Sequence, residues 1–248
     1  MSFHMQPLVV IPARFESSRL PGKPLVALCG VPMIVRTWRQ CAKAIDADRI
    51  VVATDDARIE SVCAENGITA LRTSAHCLTG TDRVAEVATR IKASTYINVQ
   101  GDEPVFNPAD LKVLIDAAAR HPGEVLNGMC VITKEEEFRS TTVPKVVARP
   151  DGRLLYMSRA SIPTGKDLRF SSASRQVCAY AFPAKALRDF TTVPAKTPLE
   201  QVEDIEILRF LELGYEVRML PMSDQSIAVD VPADVPRAES RIRELGLA

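Results

Sequence analysis

Short apolar runs recur through the first half of this chain, and each is followed by a stretch whose apolar residues have helical spacing. Leu8 to Pro12 is the first run. A helix is predicted from Pro32 at its first turn, with Ile34, Val35, Trp38, Cys41, Ala42 and Ile45 on one face. Arg49 to Thr54 is a second strand, ending at Asp55-Asp56 and followed by a helix from Arg58 to Glu65 that Asn66-Gly67 stops. Ile68 to Arg72 is a strand, Thr81 to Lys92 a helix, and Thr95 to Val99 a strand that runs into "QGDEP". Asn107-Pro108 opens a helix through Arg120. Strand alternating with helix specifies an α/β fold, a mostly parallel central sheet flanked by helices. In such folds ligands collect beyond the carboxyl ends of the strands. The polar stretches after the first strand and after the Tyr96 strand therefore share one rim.

The second half changes character. "PKVVARPDGRLLYMSRASIP" places two apolar runs around Pro150-Asp151-Gly152, a turn signal, and reads as a β-hairpin. "RQVCAYAF" reads as a strand. "TPLEQVEDIEILRFLELG" reads as one helix: Thr197 caps it, Pro198 suits its first position, Glu200 completes a capping box, and Gly214 stops it. Its buried stripe is expected to be Leu199, Val202, Ile205 and Leu208. Tyr215 to Leu220 is a strand and Pro236 to Leu245 a closing helix. With no internal repeat, low-complexity segment or linker, residues 1–248 are expected to form a single domain, the hairpin serving as a possible dimerisation arm.

Composition narrows the function. Lys plus Arg equals Asp plus Glu at 31 each, which argues against a dedicated nucleic-acid binder while leaving room for a local cationic pocket. The six cysteines form no C-x-x-C pair and no zinc spacing, so they read as reduced thiols in a reducing compartment. No apolar run approaches the ~18 residues that span a bilayer. The opening "MSFHMQP" reads as a short leader. The expectation is a soluble, cytoplasmic protein without a membrane partner.

Four stretches carry candidate chemistry. "IPARFESSRLPGKPL", residues 11–25, sets Arg14, Ser17, Ser18, Arg19, Gly22 and Lys23 directly after a buried strand. Cations interleaved with hydroxyls and a glycine suit a polyanion such as a triphosphate, although the same composition also suits a solvated loop. It is not a Walker loop, because Pro24 follows Gly22-Lys23, and no G-x-G-x-x-G occurs. "QGDEP" ends a strand at Asp102, and "IAVDVPADV" sets Asp230 after another apolar run. Either acid alone could be a helix cap. Two strand-end acids near a cationic loop suit Mg²⁺, which takes one or two carboxylates plus phosphate oxygens. "TGTDR", residues 79–83, starts a helix and could offer backbone N–H groups to a base or phosphate, or act simply as a cap.

Taken in order, "IPARFESSRLPGKPL", "VATDD", "TGTDR", "INVQGDEP", "LLYMSRASIP" and "VDVPADV" give the chain its resemblance to the cytidylyltransferases that activate sugar acids as CMP esters, those for 3-deoxy-manno-octulosonate (Kdo) above all. The resemblance runs from Val9 to about Arg243 and implies a Rossmann-like nucleotidyltransferase fold. It implies that Arg14, Ser18, Arg19 and Lys23 grip the phosphates of CTP, and that Pro12, Ala13, Thr79, Gly80 and Gln100 border the cytosine. Asp102 and Asp230 would hold Mg²⁺. Arg14, Lys23, Asp102 and Asp230 form the implied catalytic set; Arg159, Gln176, Tyr180, Glu203 and Glu206 form the implied acceptor side. The implied partners are CTP, an acidic sugar and a second copy of the chain, since such enzymes are commonly homodimers.

The chain departs from that pattern on the acceptor side. Gln176 stands where the family usually has His, Cys178 where it has Gly, and Ile207 where it has Gln. Thr164-Gly165-Lys166-Asp167 stands where a Trp-Asp-Arg-Asp stretch is often found. A site built from hydrogen bonds rejects ligands that lack them, so these changes point to Kdo, to a different keto-acid sugar, or to a phosphonate as the acceptor. Arg159, Arg175 and Lys166 remain as candidate receivers of an acid, and Glu203 and Glu206 as contacts for hydroxyls. A nucleotide-binding regulatory protein that lost turnover is the more remote reading, since both metal acids are present. A sugar-1-phosphate nucleotidyltransferase would usually carry a more glycine-rich opening loop.

Overall fold

The computed structural model describes residues 6–193 and 195–248; of the leader read over residues 1–7, residues 1–5 lie outside the described residues, as does Pro194. The elements follow in chain order: β1 (Leu8–Ala13), a small hairpin of β2 (Ala27–Leu28) and β3 (Val31–Pro32), α1 (Met33–Cys41), β4 (Ile50–Thr54), α2 (Ala57–Glu65), β5 (Ala70–Arg72), α3 (Gly80–Arg90), β6 (Thr95–Val99) and α4 (Pro108–Arg120). Then come β7 (Val125–Val131), α5 (Glu135–Arg139), β8 (Lys145–Ala148), β9 (Leu154–Ser158), β10 (Ser174–Pro183), α6 (Ala184–Thr192), α7 (Pro198–Glu203), α8 (Ile207–Glu212), β11 (Val217–Pro221) and α9 (Asp234–Glu244).

The main sheet runs β11-β7-β10-β6-β1-β4-β5. Every strand on that path is parallel to its fellows except β10, which lies antiparallel between β6 and β7. The hairpin expected around Pro150-Asp151-Gly152 is present as β8 and β9, joined to the sheet through β10. The continuous apolar run of β1 has a direct cause: all six of its residues are buried. Leu8 and Val10 enter the core on one face of the sheet, while Val9, Ile11 and Ala13 enter the core on the other. A strand covered on both faces needs no polar alternation.

Two expectations need correction. Residues 198–214 are not one helix. The chain breaks at Asp204, which adopts φ 52 and ψ 48, so α7 ends at Glu203 and α8 starts anew at Ile207. Ile205 and Leu208 are buried as expected, but Leu199 is 41% and Val202 82% exposed. The anchor of this segment is polar. Glu200 and Arg209, both essentially inaccessible, pair through two hydrogen bonds of 2.6 and 2.8 Å, and the guanidinium lies 3.7 Å over the Phe190 ring. Burying Glu200 turns the Leu199 and Val202 face outward. The capping box of Thr197 with Glu200 is present.

The second correction is β7, a central strand to which the sequence pattern assigned no element. Its run "VLNGMCV" carries a fully buried Asn127 whose amide donates to the Val177 and Ala179 carbonyls, at the point where the β10 register shifts. The side chain satisfies backbone groups that the irregular ladder leaves over. Helices α5 and α6 and the β2–β3 hairpin were likewise not expected.

Removing one partner of the buried Arg209–Glu200 pair leaves an uncompensated buried charge. Arg209→Met is expected to lower unfolding free energy by about 3–5 kcal/mol, and adding Glu200→Gln should recover part of that loss, both read from urea denaturation.

Candidate active site

The carboxyl end of β1 delivers Pro12 and Ala13 to the rim and releases the chain into the cationic loop. The end of β6 delivers Gln100, Gly101 and Asp102 beside it. The two strand ends approach so closely that a Cβ on Gly101 would lie 2.8 Å from the Pro12 carbonyl oxygen. The N-terminus of α3 closes from a third side. Its cap is Thr79, whose backbone N–H donates to the Asp82 carboxylate at 2.8 Å, and a Cβ on Gly80 would come within 3.1 Å of the Gln100 amide. These close approaches leave a cleft of about 320 Å³.

Arg14, Arg19 and Lys23 line the cleft together with Pro12, Ala13, Thr79, Gly80, Gln100, Asp102 and Asp230. Residues from four distant stretches thus meet on the rim. At the centre stands the Lys23 ammonium, which donates to Asp102 and, at 3.0 Å, to Asp230. Arg19 reaches the same Asp230 oxygen at 3.0 Å. Burial pulls the Lys23 ammonium down, but attraction to and hydrogen bonding with Asp102 and Asp230 outweigh it, and its pKa is raised. Asp230 is fixed from behind: its own N–H and that of Val231 each donate to Asp234 at 3.0 Å, and the Val229 N–H donates to the Asp102 carbonyl at 3.0 Å.

Two carboxylates converging on one point are a donor set that fits Mg²⁺, provided phosphate oxygens and water complete the shell. Among the described residues there is no group of three or more His, Cys, Asp or Glu placed to hold a metal. Asp102 and Asp230 are the two carboxylates that would hold such an ion. Beside Asp102, burial pushes the Glu103 carboxyl up to about 7, with the Asp102 charge adding to it.

The expected acceptor side divides. Glu206 lines the cleft, accepting the Thr81 N–H at 3.1 Å and the Thr81 hydroxyl; its burial raises its pKa. Arg159, Gln176, Tyr180 and Glu203 do not line it. Gln176 is buried and donates to Asn127 at 2.9 Å and Tyr180 at 3.3 Å. Glu203 accepts from Tyr156, Ser158 and the Arg159 N–H. Ser18 is exposed on the loop and also stands off the cleft wall.

Among the lining residues that escaped the sequence reading, three carry charge: Arg83, Lys196 and Asp204. Arg83, 3% exposed, donates to Thr73 at 2.8 Å and to the Ser74 carbonyl at 3.2 Å and pairs with Asp55, fastening the α3 end to the neighbouring strand ends. It was visible inside "TGTDR". Lys196 and Asp204, which pair with each other, had no motif to announce them.

Residues 8–225 match the cytidylyltransferase family. The chain belongs to that family. It is 38% identical over 246 residues to the 3-deoxy-manno-octulosonate cytidylyltransferase of Syntrophotalea carbinolica, covering 95% of this chain and 98% of the relative. The mitochondrial 3-deoxy-manno-octulosonate cytidylyltransferase of Arabidopsis thaliana is 34% identical over 251 residues, covering 99% of this chain and 86% of its own. Among solved structures, CMP:2-keto-3-deoxy-manno-octonic acid synthetase in complex with CTP superposes with a TM-score of 0.91 at 31% identity, over 97% of this chain and 99% of that one. The α/β fold and the nucleotidyltransferase class read from the sequence are those of the family.

The tight meeting of β1 and β6 can be tested by crowding it. Gly101→Ala must displace the Pro12 carbonyl, a backbone atom that cannot swing aside. The expected loss is about 1–3 kcal/mol of unfolding free energy by urea titration, as for overpacking in a well-packed site.

Proposed function

We propose that the chain transfers CMP from CTP to an acidic sugar, with 3-deoxy-manno-octulosonate as the first acceptor, and releases pyrophosphate. The observation that carries this reading is the convergence of Arg14, Arg19 and Lys23 with Asp102, just past the end of β6, and with Asp230, which ends no strand, contrary to expectation, and lies in the irregular segment before α9. The anomeric hydroxyl oxygen of the acceptor bonds to the α-phosphorus, the bond to the pyrophosphate oxygen breaks, and the hydroxyl proton is lost to water. No residue forms a covalent intermediate. Arg14, Arg19 and Lys23 neutralise the phosphates, and Pro12, Ala13, Thr79, Gly80 and Gln100 border the base. Asp102 and Asp230 would hold Mg²⁺, whose charge offsets that of the phosphates as the leaving group departs. The rest is positioning and charge compensation.

A different keto-acid sugar or a phosphonate is the second reading. What favours it is Gln176, which is spent on Asn127 and Tyr180 and leaves this part of the acceptor side without a cation. For assembly, the β8–β9 hairpin with its 57% exposed Leu155 supports the reading of an arm that pairs two copies. All six cysteines are unpaired, which suits a reducing compartment such as the cytoplasm. No helix among the described residues is long and apolar enough to cross a membrane.

The direct test is pyrophosphate release with CTP and Mg²⁺ across a panel of acids that includes Kdo. Release with Kdo supports the first reading, release only with another acid supports the second, and silence with every acid overturns both. Asp102→Ala and Lys23→Ala are each expected to lower turnover by about 10²-fold or more, because each removes charge from the phosphate end. Chelation of divalent cations should abolish release, and added Mg²⁺ should restore it.

A further inference from the structure

The cleft holds a cation that comes from a different stretch of the chain than the loop after β1. Lys196 sits one residue before the α7 cap, and its ammonium contacts the Asp204 carboxylate; both residues line the cleft together with Glu206. Stability does not explain this pair. The Asp204 side chain is 70% exposed, and an exposed ion pair contributes little. The segment is already held by the buried Glu200–Arg209 pair and the Thr197 capping box. Yet the chain accepts a left-handed residue at Asp204, a conformation most side chains avoid and Asp or Asn tolerates, and so interrupts a stretch with unbroken helical spacing. The hydrogen bond from Lys196 holds the Asp204 carboxyl below its ordinary range.

An acidic acceptor needs a cation at its end of the cleft. The candidates read from the sequence are occupied or distant. The Arg159 guanidinium donates to the carbonyls of Glu203 at 2.6 Å, Asp204 at 3.0 Å and Thr141 at 3.1 Å. Arg175 lies 4.0 Å from Glu137, and neither it nor the exposed Lys166 lines the cleft. Among the described residues, the three donors of Lys196 meet one carboxylate, that of Asp204, which Arg159 also approaches at 3.9 Å.

We infer that Lys196 receives the acid group of the acceptor and that Asp204 is its resting counter-ion, displaced into water when the acceptor arrives. The inference rests on the acidic acceptor of the proposed function. An acid exchanges one carboxylate for another on the same ammonium, whereas a neutral sugar has no charge with which to displace Asp204. The pair thus selects for acids by a built-in competitor as well as by attraction.

The test is steady-state pyrophosphate release, with KM measured separately for CTP and for Kdo, or for whichever acid of the panel the wild type uses. Lys196→Met should raise the acceptor KM about 10- to 100-fold with the CTP KM unchanged, the loss expected for one charge-assisted contact. Lys196→Arg should restore most of it. Asp204→Asn keeps a residue that tolerates the left-handed conformation and should lower the acceptor KM about threefold or more, because the competitor is gone. A merely structural ion pair would make Lys196→Met and Asp204→Asn act alike. An unchanged acceptor KM in Lys196→Met, or a raised one in Asp204→Asn, overturns the inference while leaving the proposed function standing. A wild type silent with every acid overturns the proposed function and this inference with it.

Discussion

The Lys23 ammonium held between Asp102 and Asp230 is the interaction around which the rim is organised. The two carboxylates come from segments far apart in sequence, and without the lysine they would repel across a half-buried gap. The contact draws the loop after β1, the end of β6 and the segment before α9 to one point. It also stores a choice. On the proposed function, a triphosphate with its metal would supply negative oxygens for Lys23 and positive charge for the two acids, so the internal contacts would be exchanged for ligand contacts without leaving any of the three charges unpaired. With Arg19 on Asp230 as well, the two acids meet two cations, and the cluster is balanced in charge.

What holds the rim in place lies below it. Strands β1, β4 and β6 are covered on both faces, so their ends are fixed by packing. The close approach of Gly101 to Pro12 and of Gly80 to Gln100 converts that packing into a narrow wall. On the other side of the sheet, the antiparallel β10 with its register shift, braced by Asn127, carries Gln176 and Tyr180 into a buried polar network. The irregularity is confined to β10, whose Gln176 and Tyr180 do not line the cleft, while the strand ends of β1 and β6 that border it are regular. The family's reaction is positional, so rigidity matters most where the phosphates sit.

Much of this was legible in the sequence because its causes are local. The apolar run of β1, the cations that follow it and the acids at the end of β6 and before α9 are contiguous motifs, and strand–helix alternation places them on one rim. Strand β7 was not legible, because Asn127 and Gly128 interrupt its pattern for reasons found only in three dimensions. The amide serves a bulge on another strand, and a Cβ at Gly128 would run into Met222 and Val177. The helix over 198–214 was misread because its spacing continues through Asp204, and nothing in an aspartate announces a left-handed backbone. Glu203 and Glu206, three apart on an unbroken helix, would share a face. With the break, Glu203 turns to Ser158 and Arg159 and Glu206 turns to Thr81. Lys196 carried no signal, since its meaning depends on that break.

The measurement that bears most directly on the central claim is a crystal structure with a non-hydrolysable CTP analogue and Mn²⁺, with the metal located by its anomalous signal. The account predicts an anomalous peak coordinated by Asp102 and Asp230, the Lys23 ammonium moved from those acids onto a phosphate, and the base against Pro12, Gly80 and Gln100. A triphosphate bound elsewhere, or Lys23 still seated between the two acids with the metal at another place, would contradict it.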